Sequence, residues 1–163
     1  MLGVMLASLV LFLSCAPRLH EFHIVPPSPS FHMLIAADTS PFKDRIREDL
    51  IAAYRYTGAI HVIDIRDLSR IDTAPYDVVV LLDTCLAWSG FNFSVKTFLD
   101  NPGNRARTVL AMTAGDPDWQ YQYQGVDAVT AASRPAGRAQ FLARIKAGIE
   151  AVLLSENAGK NRT

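Results

Sequence analysis

The 163-residue sequence predicts a doubly wound α/β domain, a parallel five-stranded sheet with helices on both faces. Two observations carry that expectation. From Phe31 onward, segments of strand length alternate with segments of helical periodicity, the order that βαβ units require. Tyr76-Asp77-Val78-Val79-Val80-Leu81-Leu82 is in addition an unbroken apolar run, too continuous for a half-exposed strand and therefore expected to be buried on both faces.

The elements follow in order. Phe31 to Ala37 reads as the first strand. After the loop Asp38-Thr39-Ser40, Pro41 suits a first helical position, and Phe42, Ile46, Leu50 and Tyr54 recur at four-residue spacing until Gly58 closes the helix. Ile60 to Ile65 is the second strand, Tyr76 to Leu82 the third, Thr108 to Met112 the fourth and Ala128 to Ala132 the fifth. Phe93 to Phe98 is helical, and Asn101-Pro102-Gly103-Asn104 breaks it. Phe141, Ile145, Ile149 and Val152 mark a last helix, followed by a polar tail from Ser155 to Thr163. The loops that end the third and fourth strands, Asp83 to Gly90 and Thr113 to Asp116, put small, hydroxylated and acidic residues at the carboxyl edge of the sheet, where ligands of open α/β sheets bind.

Composition limits the rest. A chain of this length with 50% hydrophobic residues supports one ordinary core, and its 16 basic and 16 acidic residues cancel, which argues against a nucleic-acid partner. Met1 to Ser14 is uncharged and almost wholly apolar, shorter than the span of about 20 residues that crosses a bilayer but suited to the apolar region of a signal peptide. Phe12-Leu13-Ser14-Cys15 resembles a bacterial lipobox, which implies lipidation at Cys15 and a membrane anchor facing outside the cytoplasm. The alternatives are an uncleaved short anchor or a mis-called start codon. Residues 15–30 carry Pro17, Pro26, Pro27 and Pro29 and read as an extended tether, in which His20 and His23 are taken as solvated. The domain proper is then 31–154.

Tyr76-Asp77-Val78-Val79-Val80-Leu81, followed by Trp88-Ser89-Gly90 and Val95-Lys96-Thr97-Phe98-Leu99, resembles the flavodoxin-like family, and the resemblance covers about 31–154. It implies a strand order 2-1-3-4-5 and an FMN site. Trp88 would lie beside the flavin ring, with Thr84 and Gly90 in the same loop, and Gly115-Asp116 followed by Trp119, Tyr121 and Tyr123 would form the second flavin loop. Thr39, Ser40 and Lys43 would hold the phosphate.

The chemistry of that phosphate loop departs from the family's pattern. Ser40 stands where Gly is expected, Pro41 removes an N–H donor, Phe42 replaces a hydroxyl, and Asp38 places a negative charge beside a dianion. Ser40-Pro41 is also a sufficient helix start without any ligand. Cys85 has no nearby partner in the sequence that would make it a nucleophile, and no Ser-His-Asp order, CxxC pair, HExxH or P-loop is present. Two expectations follow. One is a membrane-tethered lipoprotein with a degenerate FMN site, acting as a binding or structural module. The other is an FMN-binding electron-transfer protein or flavin-dependent reductase.

Overall fold

The computed structural model describes residues 18–85, 92–116 and 119–160. Its element order is β1 (Phe22–Ile24), β2 (Phe31–Ala37), α1 (Pro41–Tyr54), β3 (Gly58–Asp64), a 3-10 turn (Ile65–Arg70), β4 (Val78–Thr84), α2 (Phe93–Asp100), α3 (Pro102–Arg105), β5 (Thr108–Ala114), β6 (Gln122–Tyr123), β7 (Val126–Ala132), a short 3-10 turn (Pro135–Gly137) and α4 (Arg138–Lys160). Among the described residues no helix is long and apolar enough to cross a membrane.

The sheet corrects the expected fold. It has seven strands in the order β1-β3-β2-β4-β5-β7-β6, not five in the order 2-1-3-4-5. The pairs among β3, β2, β4, β5 and β7 are parallel, while β1 on β3 and β6 on β7 are antiparallel. Both additional strands arise where sequence periodicity is too short to register. β1 takes three residues from the stretch read as a tether, held extended just ahead of Pro26 and Pro27. β6 comes from a two-residue hairpin whose central residues, Gln124 and Gly125, both have positive φ (52° and 81°), the twist that joins antiparallel strands tightly.

Alternate residues of the central strands feed two cores. Met33, Ile35, Ile60, Val62, Val78, Val80 and Leu82 face α1 and α4, meeting Ile46, Leu50, Phe141, Ile145 and Ile149. Leu34, Ala36, Ile63, Val79, Leu81, Leu110 and Met112 face the other way, onto Val95, Phe98 and Leu99 of α2 and onto Ile65 and Leu68 of the 3-10 turn. Each fully buried Leu or Ile contributes about 1.5–3 kcal/mol, so both faces are needed to hold the sheet. α1 begins where the sequence placed it: Ser40 caps it by accepting a hydrogen bond from the Lys43 N–H at 3.2 Å, with Pro41 in the first turn. It ends at Tyr54, and Gly58 opens β3 instead of closing the helix. α4 continues to Lys160, through most of the expected polar tail.

Candidate functional site

The chain passes from β2 through α1 to β3 on one side of β2, then returns to β4 on the other, so the carboxyl ends of β2 and β4 flank a topological switch point. Asp38 follows β2, Thr84 ends β4, and Lys43 sits in the first turn of α1 above them. The Asp38 N–H donates to the Leu82 carbonyl at 3.1 Å, which ties the loop to the strand end.

These groups bind one another. Lys43 is 2% exposed, and its Nζ forms an ion pair with Asp38 Oδ1 and donates to Thr84 Oγ1. Thr84 Oγ1 in turn donates to Asp38 Oδ2 at 2.7 Å. The Ser40 hydroxyl oxygen is occupied by its cap to the Lys43 N–H. Ser40 and Lys43, two of the three side chains expected to meet a phosphate, and Thr84, expected in the flavin loop, are therefore committed to partners within the chain.

Asp83, one residue before Thr84, is buried at 3% exposure. Its carboxylate accepts from the Thr84 N–H at 2.9 Å and from the Asn92 N–H at 3.2 Å. Burial dominates and pushes its pKa up to about 6; the two backbone donors and Lys43 pull it down, and Asp38 pushes it further up. Sequence reading passed over Asp83, although an acid ending an otherwise apolar strand was a visible signal. Cys85, two positions after Asp83, has its thiol pKa raised, first by burial and then by Asp83, the opposite of what an activated nucleophile needs.

The remaining expected site residues are dispersed. Gly115 and Asp116 are exposed at the end of β5. Trp119 packs against Tyr121 with ring centroids 4.9 Å apart at 47°, and Tyr121 rests on the second core with Cys85. Tyr123 donates from its hydroxyl to Asp100 Oδ1 at 2.9 Å. Cys15, Trp88 and Gly90 lie outside the described residues. Beside the first turn of α1 runs an open groove lined by Pro41, Phe42, Arg45, Ser133, Pro135 and Arg138.

A second polar cluster lies at the β1 edge. Glu21, His23 and His61 bring one ligand atom each to within 4.8 Å of one another, and the Tyr76 hydroxyl is 2.6 Å from His61 Nδ1. No protein-family model, curated protein or solved structure matches the chain.

Proposed function

We propose that the protein is a membrane-tethered lipoprotein, anchored through Cys15, whose carboxyl-edge loop is a decayed phosphate site and which serves as a binding or structural module. The mutual pairing of Asp38, Lys43 and Thr84 is the observation that supports this reading. A phosphate at the amino terminus of α1 would have to take Lys43 from a carboxylate that already neutralises it and would stand against the Asp38 charge. The groove edged by Arg45 and Arg138, with Pro41 and Phe42 as its apolar wall, is the surface on which a binding role would act.

The second reading, an FMN-dependent electron carrier or reductase, is favoured by the Trp119–Tyr121 ring pair beyond Gly115-Asp116. Titration of the purified protein with FMN, followed by visible absorbance and flavin fluorescence, separates the two. The decayed site predicts no saturable binding by the wild type and a gain in Asp38→Asn, which frees Lys43 for an anion. Micromolar or tighter binding by the wild type would overturn it. Mass spectrometry of membrane-extracted protein tests the anchor, since an intact Met1 with an unmodified Cys15 is incompatible with lipidation.

A further inference from the structure

We propose that Glu21, His23 and His61 form a binding site for a divalent transition-metal ion with the ligand preference of zinc, and that the ion fastens β1 onto the edge of β3. The three side chains converge for reasons of strand geometry. His23 and His61 are direct partners in the antiparallel register of β1 and β3, so their side chains leave the same face of the sheet. Glu21 precedes His23 by two positions and shares that face by strand alternation.

The donor set suits the ion. Two imidazoles and a carboxylate form a nitrogen and oxygen set that zinc accepts, with a fourth position left for water or an anion. Nε2 of His61 lies 2.7 Å from Glu21 Oε1, and Nε2 of His23 lies 3.8 Å from the same oxygen. Tetrahedral ligands at about 2.0–2.1 Å from a metal stand about 3.3 Å apart, so the two separations bracket the required one.

One rearrangement is needed. The two imidazole rings are stacked, 3.9 Å between centroids and 16° between planes, and a metal has to lie in the plane of each ring it binds. His23 must therefore rotate out of the stack. Its side chain is 58% exposed and Glu21's is 57%, so both are free to turn, whereas His61, at 7%, is the fixed point.

The surroundings of His61 complete the site. Its Nδ1 meets the Tyr76 hydroxyl at 2.6 Å, the outer hydrogen bond that orients a metal-binding imidazole and leaves Nε2 to the ion. Further contacts already lay the same segment along β3. Arg18 pairs with Asp67 at 2.8 Å, and the Leu19 N–H donates to Asp64 Oδ2 at 3.0 Å. An ion at Glu21, His23 and His61 would clamp the middle of a segment that these contacts hold at its start.

Calorimetric titration and thermal melting of the full chain with ZnCl2, with MgCl2 as the contrast, provide the test. One zinc per chain and a metal-dependent rise in melting temperature are expected, with no response to magnesium. Cobalt(II) should give the visible absorption bands of a low-coordinate site. His23→Ala and Glu21→Gln remove contacts to buried His61, so each variant is compared with itself with and without metal: circular dichroism should show the native fold, while zinc binding and the zinc-dependent rise in melting temperature are lost. Tyr76→Phe should weaken zinc by on the order of 10–100-fold. Undiminished binding by His23→Ala, loss of binding in His32→Ala or Cys85→Ser instead, or no zinc response in the wild type would each overturn the proposal.

Discussion

Asp38 and Lys43 close an ion pair over the carboxyl end of β2, with the lysine almost wholly buried and the carboxylate still partly in contact with solvent. Lys43→Met should therefore leave an uncompensated carboxylate that water can partly reach, costing about 1–3 kcal/mol, less than the loss of one partner from a fully buried pair. The double change Asp38→Asn with Lys43→Met should recover part of that loss, because it removes the orphaned charge. Urea denaturation of the four proteins measures the coupling; additive single effects would show that the pair contributes nothing beyond its parts.

Two buried acids give stability opposite dependences on pH. Asp64 accepts from the Arg66 guanidinium and backbone N–H and from the Leu19 N–H, and the Arg66 side chain foremost holds its pKa down to about 2 against burial. Its contribution, about 2 kcal/mol, is present above the unfolded value near 4 and is lost as pH falls toward 2. Asp83 has the reverse sign. With its folded pKa at about 6, it binds a proton more tightly when folded, so stability falls by on the order of 2–3 kcal/mol as pH rises from about 4 through 6. Denaturation from pH 2 to 8 should show a rising and then a falling limb, with Asp64→Asn flattening the first and Asp83→Asn the second. A falling limb that survives in Asp83→Asn would assign it to another group.

The β6–β7 hairpin supplies a backbone prediction. Gly125 has φ 81° and nothing within 4 Å of where a Cβ would stand, so Gly125→Ala meets no clash and only a conformational penalty of about 1 kcal/mol. Gln124→Asn, at φ 52°, should stabilise by a few tenths of a kcal/mol because Asn tolerates the left-handed region better. Thermal melting of the two variants should show shifts of opposite sign.

How far the fold could be read from sequence depended on segment length. Phe31 to Ala37 was placed to the residue, and the strand expected at Tyr76 to Leu82 was found two residues on, at Val78–Thr84, because a strand buried on both faces is apolar throughout while its ends carry no such mark. β1 and β6, with three and two residues, are too short for any period to show, and Gln124-Gly125 lacks the Asn-Gly or Asp-Gly pair that marks a tight hairpin. The site was harder to read. Thr39, Ser40 and Lys43 were singled out as anion ligands, yet only the fold reveals that Asp38, five positions before Lys43, reaches back to neutralise it. His61 lay within an apolar strand and gave no sign of its partners, because Glu21 and Tyr76 are 40 and 15 positions away and meet it only through the pairing of β1 with β3 and the neighbouring strand ends.

The two short antiparallel strands also govern how this molecule meets its own kind. A parallel sheet ending at β3 or β7 would expose a seven-residue ladder of unpaired backbone groups, a template on which another copy can add a strand. β1 covers the middle of β3 and β6 covers the start of β7, each too brief to serve as a template in its turn. Such blunted flanks oppose edge-to-edge polymerisation while leaving the carboxyl end of the sheet open to the surroundings.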